Sequence, residues 1–262
     1  MPKNIFLVRH GLSEANLAHD ISPDKDLGLF RKTPDFNVRL APKGVDESVE
    51  AGNWLKEVEK NYNVRTLTHL FVSPYVRARE TAAMMGLTGE WQIDDSVRER
   101  NWGSVENMPQ NEAREAFPSS WAAKDKNQWY WQPPDGESLA TDVLIRARVF
   151  LESLEKLGPL ASVVVVSHAE FLSVLRFLIE GQTSDEWLLE YSLKEHSMKN
   201  GQVTQYAWSD CPNNGHSLKR RSIVPWDHSM SWDSGKWIEF PVKRAFSSAQ
   251  LLETIATYPK VF

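Results

Sequence analysis

The chain has 262 residues, 41% of them hydrophobic and 25% charged, with a formal net charge of −5. This is the make-up of a soluble globular protein long enough to bury a substantial core, and it gives no reason to expect nucleic acid or an anionic membrane as partner. The single cysteine, Cys211, excludes an internal disulfide framework; no stretch approaches the ~20 apolar residues of a membrane span, and Met1-Pro2-Lys3-Asn4 has no signal-peptide pattern, so a cytoplasmic protein is expected.

Residues 4–9 read as a buried strand, and Ser13 as the N-cap of a helix over 13–18. Residues 19–41 lack periodicity and carry Pro23, Gly28 and Pro34, which predicts a long loop; loops of that length are commonly functional. Val45, Val49, Leu55 and Val58 recur at helical spacing, and Leu67–Val72 reads as the next strand. Ser73-Pro74 then reads as a cap followed by proline in the first turn of a helix that ends near Gly86.

A strand over 91–98 follows, then a polar, aromatic and proline-bearing stretch over 104–135, then a long helix from Ser138 to Leu157 closed by Gly158-Pro159. A Val163–Val166 strand leads into a helix over 170–179, and this alternation of strands and helices predicts a largely parallel sheet covered on both faces. The tail offers strands at 202–208, 219–225 and 236–242 and a capping box at Ser247–Gln250. It is expected either to cap the domain or to pair with another subunit. No linker separates it, so one domain is expected.

The 11 tryptophans are expected mostly to pack, but Trp121, Trp129, Tyr130 and Trp131 crowd one segment, where they either line an apolar slot or fasten the insert to the body. Lys219-Arg220-Arg221 reads as a solvated or strand-edge run, with a polyanion site as the alternative. His19, His69, His196, His216 and His228 have no metal-ligand spacing.

Two strands end alike, in Arg9-His10-Gly11 and in Ser167-His168. Ligands of open α/β sheets bind at the carboxyl ends of the strands. In a parallel sheet both histidines stand at that edge, which suggests a site where one imidazole attacks and the other assists. Taken singly each is commonplace; the ordered set is the signal.

Arg9-His10-Gly11-Leu12-Ser13-Glu14-Ala15-Asn16 resembles the signature of the histidine phosphatase superfamily, the phosphoglycerate mutase-like proteins. Ser73 to Ala82 resembles its second arginine block, Arg98-Glu99-Arg100-Asn101-Trp102-Gly103 its acid block, and Ser167-His168 its second histidine. Leu40 to Gly44 and Gly136-Glu137-Ser138 are smaller matches, and the likeness runs from about Asn4 to Asn200. It implies a three-layer αβα fold with a mostly parallel central sheet, insertions and an elaborated C-terminal tail. The whole chain, 1–262, is then one histidine-phosphatase-like domain, with a core to about 205 and an extension over about 206–262.

It also implies roles. Arg9 and Arg77 hold a phosphoryl group, for which guanidinium forks are suited by shape and constant charge. His10 takes the phosphoryl group as a phosphohistidine, and His168 donates to the phosphoryl oxygens in the transition state. Glu99 protonates the departing alcohol and then deprotonates water. Ser13, Asn16 and Ala169 complete the substrate contacts, the first through a helix opening whose free N–H groups point at the anion.

No metal or other cofactor is required, and the expected partner is a small phosphomonoester, with no nucleic acid or membrane. Ala169 stands where the family commonly has glycine, which would strain a turn needing positive φ. The mutase branch's tryptophan-aspartate run and paired cap arginines are absent. A metal-independent phosphatase is therefore the expected activity, with a mutase-type phosphotransferase or a phospho-ligand-binding module as alternatives. Residues 17–41 and 104–134 are expected to rim the pocket.

Overall fold

The computed structural model describes residues 1–21, 32–61, 67–192, 198–211, 215–227, 231, 233–241, 247–256 and 259. In chain order they form β1 (Asn4–Arg9), α1 (Glu14–Ile21), α2 (Pro42–Asn61), β2 (His69–Val72), α3 (Val76–Met85) and β3 (Trp91–Ile93). The insert supplies α4 (Gln110–Ala116) and α5 (Pro118–Lys126). Then come α6 (Leu144–Glu155), β4 (Ser162–Ser167), α7 (Ala169–Glu180), α8 (Ser184–Ser192), β5 (Val203–Cys211), β6 (Gly215–Ile223), β7 (Ile238–Pro241) and α9 (Ser248–Ile255).

The strands make one seven-stranded sheet in the order β3-β2-β4-β1-β5-β6-β7. β1 to β4 pair in parallel, and β5, β6 and β7 add antiparallel beside β1. The tail therefore extends the same sheet.

Successive side chains of a strand point to opposite faces, so the apolar runs of β1 and β4 feed two cores. Ile5, Leu7, Val163 and Val165 pack with Phe150, Phe171 and Leu175 from α6 and α7. Phe6, Val8, Val164 and Val166 pack with Trp54, Leu55, Ala78 and Met85 from α2 and α3. All eight strand residues are fully buried. Each such side chain contributes about 1.5–3 kcal/mol relative to exposure, and this holds the two central strands in place. Their register pairs Val8 with Val166 and Arg9 with Ser167, so the next residue of each strand, His10 and His168, emerges side by side.

Several boundaries differ from the sequence reading. The strand expected over 91–98 stops at Ile93, because the Asp94 carboxylate accepts the Ser96 N–H at 2.8 Å and folds Asp95–Val97 into a 3-10 turn. The long helix begins with a π-helical turn, Leu139–Val143, before α6. α8 lies beyond what the periodicity indicated. The Ser247 capping box is present with both of its hydrogen bonds. Lys219-Arg220-Arg221 is not a solvated run: Arg221 is almost fully buried and donates to Gln205 Oε1, while Arg220 donates to Glu180 Oε1. Most of the loop expected over 19–41, namely 22–31, lies outside the described residues, as do His196 and His228. No helix among the described residues is long and apolar enough to cross a membrane.

Candidate active site

The turn after β1 is packed too closely for any side chain at its glycine. A Cβ on Gly11 would stand 2.2 Å from the Gly44 carbonyl oxygen in the first turn of α2. The turn is pinned from several sides: Gly11 N–H donates to Thr81 Oγ1 at 3.1 Å, Leu12 N–H to Glu47 Oε2 at 2.8 Å, and Asn200 Nδ2 to the carbonyls of His10 and Gly11. Ser13 caps α1, accepting the Asn16 N–H at 3.2 Å. Asn16 Oδ1 is committed to the Ser13 N–H and hydroxyl and to Asn200 Nδ2, which turns its own amide NH₂ into the uncommitted end. The expectation of free N–H groups at this helix opening is narrowed by what the amides already bind. The amides of Ser13, Glu14 and Asn16 are already taken, by Asn16 Oδ1, the Arg39 carbonyl and Ser13 Oγ respectively.

His10 Nδ1 lies 2.7 Å from the Gly11 carbonyl oxygen. A carbonyl can only accept, so Nδ1 carries the proton and Nε2 keeps its lone pair. Burial, reinforced by the charges of Arg77 and Arg9, holds the His10 pKa well below 6.5 and keeps the ring neutral. The His168 ring sits 5.1 Å away, centroid to centroid, and its pKa is depressed by the same causes, burial first. His168 Nε2 meets Ser73 Oγ at 2.8 Å, and Ser73 Oγ also accepts the Tyr75 N–H. The hydroxyl keeps a second lone pair, so this contact admits either tautomer; a hydroxyl that donates to Nε2 leaves the His168 proton on Nδ1. That buried nitrogen has no hydrogen-bond partner among the described residues. Ser73 is thus spent on His168, and the helix it was expected to cap has no side-chain cap at its start.

Arg9, His10, Ser13, Asn16, Arg77 and Glu99 line one cavity of about 400 Å³. Arg9 donates to the Met198 carbonyl at 2.5 Å. Its pKa is lowered, mainly by burial, but a guanidinium starts high enough to stay charged. Arg77, buried in the first turn of α3, meets the Asp35 carboxylate through both terminal nitrogens, at 3.0 and 2.9 Å.

Glu99 is fixed by amides. It accepts from Arg100 at 3.0 Å, from Phe171 at 3.1 Å and from Glu170 at 3.4 Å, the latter two in the first turn of α7. The neighbours of Glu99 are tied down as well. Arg98 forks onto Glu137 at 2.7 and 2.5 Å, and Arg100 donates to the carbonyls of Glu137 and Trp131. Among the described residues no group of three or more His, Cys, Asp or Glu is placed to hold a metal ion.

Residues 5–211 match the family model described as "Histidine phosphatase superfamily (branch 1)". The chain belongs to the histidine phosphatase superfamily. It is 30% identical over 157 residues to the phosphoglycerate mutase-like protein AT74 of Arabidopsis thaliana, covering 59% of this chain but only 47% of the plant protein. It is 28% identical over 193 residues to the 2,3-bisphosphoglycerate-dependent phosphoglycerate mutase of Methylorubrum populi, covering 70% of this chain and 82% of that enzyme.

Among solved structures, the α-ribazole phosphatase of Shigella flexneri aligns with a TM-score of 0.63 at 16% identity, over 79% of this chain and 91% of that one. The mycobacterial glucosyl-3-phosphoglycerate phosphatase, in complex with VO3, gives 0.62 at 20% identity over 85% and 98%. These two show the fold. Membership of the superfamily points to phosphoryl transfer, to water or to a second acceptor.

Within this histidine phosphatase chain Ala169 is not strained. It is the first residue of α7, and the only non-glycine residues of positive φ among the described ones are Asn107 and Asp135. Ala169 lines a neighbouring cavity of about 610 Å³ rather than the one that holds His10. Much of the rim of this cavity comes from the expected segments, through Asp35 on one side and Glu106, Asn107, Trp121 and Lys124 on the other, with Trp102 just before the second segment.

The crowded aromatics divide. Trp129 packs between Phe177 and Trp187, and Trp131 is buried against Trp102 and Trp121. Tyr130 is exposed. Only Trp121 of the four reaches the cavity. Lys124 stands over the rings of Trp121, Trp131 and Trp102 at 4.5, 4.8 and 5.0 Å. Sequence reasoning missed Asp35, Ser73 as a histidine partner, Lys124 and Asn200. None belongs to a spacing pattern, and each acquires its place through the fold.

Proposed function

We propose that the protein hydrolyses phosphomonoesters through a phosphohistidine on His10. The observation that carries this reading is the state of the His10 ring. It is neutral by burial, with its proton held by the Gly11 carbonyl and Nε2 left bare in a cavity that also holds Arg9, Arg77 and Glu99.

The Nε2 lone pair attacks phosphorus, the bond to the ester oxygen breaks, and the Glu99 carboxyl gives its proton to the departing alkoxide. Arg9 and Arg77 hold the phosphoryl oxygens, Asn16 adds its amide NH₂, and the Nδ1–H of His168 meets the charge that builds on those oxygens. Water then attacks the phosphohistidine. Glu99 takes its proton, the P–N bond breaks, and phosphate leaves with His10 neutral again. Burial suits this nucleophile, since a cationic imidazole has no lone pair to offer. No step draws on a metal.

The test is phosphate release from p-nitrophenyl phosphate and a monoester panel in EDTA, with His10→Ala as control. Turnover that survives EDTA and vanishes in the variant is expected. Activity that persists in the variant refutes the phosphohistidine. A mutase is the second reading, favoured by the bisphosphoglycerate-dependent relatives at 28% identity. It requires phosphoryl exchange between phosphoglycerates to outrun hydrolysis.

A further inference from the structure

The phosphoryl seat proposed above already carries an anion of the protein's own. Asp35 belongs to a short 3-10 turn, Asp35–Asn37, outside every block of the superfamily signature. Its carboxylate oxygens take Arg77 NH1 and NH2 at 3.0 and 2.9 Å, and its carbonyl takes NH1 again at 2.6 Å. Arg77 is 5% exposed, and both residues line the cavity that contains His10.

Guanidinium binds carboxylate and phosphate with the same pair of parallel N–H donors, so two phosphoryl oxygens on this edge of Arg77 and the Asp35 carboxylate exclude one another. The turn is also tethered from across the cavity. Glu106 Oε1 accepts the Asp35 N–H at 2.6 Å, and Asn107 Nδ2 donates to the Thr33 carbonyl at 2.9 Å. Asn107 does so from a positive φ of 55°, a backbone state that asparagine tolerates better than most residues.

Resting on the reading of Arg77 as a phosphoryl ligand, we infer that Asp35 is a built-in competitor for the phosphoryl seat, which substrate must displace from Arg77. Being part of the same chain and held at two points, the carboxylate competes at a high effective concentration. The apparent affinity of any phosphoryl ligand is the intrinsic affinity multiplied by the fraction of molecules in which Arg77 is released. Displacement moves Asp35 and the turn around it, so Glu106 and Asn107 act by setting that fraction. Asp35 is accordingly not catalytic: it sets how much ligand is needed, and the chemistry on His10 proceeds once Arg77 has changed partners.

The experiment is titration of wild type, Asp35→Asn and Glu106→Ala with inorganic phosphate and with orthovanadate, followed by tryptophan fluorescence. Steady-state kinetics on p-nitrophenyl phosphate accompany it. If nine molecules in ten are latched, Asp35→Asn binds phosphate about tenfold more tightly. KM then falls by a similar factor while kcat does not rise. Glu106→Ala, which removes the acceptor of the Asp35 N–H, lowers KM and tightens phosphate binding by less, and it decides the matter if Asp35→Asn folds poorly.

Unchanged or weaker phosphate binding by both variants overturns the inference alone, provided that wild type binds phosphate and Arg77→Ala does not. In that case Asp35 positions Arg77. If Arg77→Ala binds phosphate as well as wild type does, or if phosphate and vanadate bind none of these proteins, the phosphoryl reading of the seat falls and the competitor falls with it.

Discussion

Replacing Ser73 by alanine removes one hydroxyl from the interior and takes from the His168 ring the only hydrogen-bond partner it has among the described residues. Ser73 and His168 are both fully buried, so no bulk water takes the place of the lost contact. Leaving a buried ring nitrogen unsatisfied costs about 1–3 kcal/mol, and the 3.3 Å contact from the Tyr75 amide adds a smaller amount. A loss of about 2–3 kcal/mol is expected, read as a lower urea midpoint at constant m-value.

Catalysis suffers separately. On the proposed mechanism the Ser73 hydroxyl donates to Nε2 and keeps the His168 proton on Nδ1; without it, the donor proposed for the phosphoryl oxygens is present in only part of the molecules. Complete loss of such a donor costs about 10²–10³ in kcat. Partial loss should lower kcat by roughly ten- to a hundredfold with KM little changed. If the variant loses stability but keeps its kcat, Ser73 merely satisfies a buried ring nitrogen, and the tautomer argument is wrong.

Gly11→Ala sets a Cβ 2.2 Å from the Gly44 carbonyl, so α2 or the His10 turn has to move; both melting temperature and turnover should drop, and a variant matching wild type in both would show that the turn has slack. Trp129→Ala and Trp131→Ala each open a cavity under a buried indole, at a cost of about 3–5 kcal/mol in denaturant unfolding; a pure change in KM with no stability loss would contradict the packing role. His10→Gln should alter how stability depends on pH. The folded-state pKa of His10 is depressed by burial, so its contribution is fully present above the unfolded value near 6.5 and is lost as pH falls below it, by about 1.4 kcal/mol per pH unit. The difference in unfolding free energy between wild type and variant should narrow at that rate between pH 6.5 and the folded value, and a difference independent of pH there would mean that His10 titrates normally. Lowering pH should accordingly leave kcat/KM unaffected by His10 protonation until well below 6.5.

Much of the site was legible in the chain because its residues sit at strand ends. The apolar run Ile5–Val8 can only be a buried strand, and the run Val163–Val166 likewise, so the histidine after each had to emerge at a sheet edge. The roles expected of Arg77 and Glu99 came from blocks whose order along the chain resembled a family. Ser73 was legible as a residue but not as a partner. A serine before proline looks the same whether it caps a helix or meets a histidine 95 positions away. The insert's tryptophans were ambiguous for a similar reason, since an indole against an apolar wall and an indole against a ligand obey one composition rule.

By itself, then, the sequence determined what depends on short-range pattern: the alternating strands and helices, the caps at Ser13 and Ser247, and the signature blocks that carry family membership. Register decided the rest. Pairing Arg9 with Ser167 sets His10 beside His168, and the crossing of α3 with the Asp35 turn gives Arg77 a carboxylate partner 42 positions away. Contacts of that kind arise only when burying two cores leaves one arrangement of the elements. They depend on distances across the sheet, which no local pattern of residues encodes.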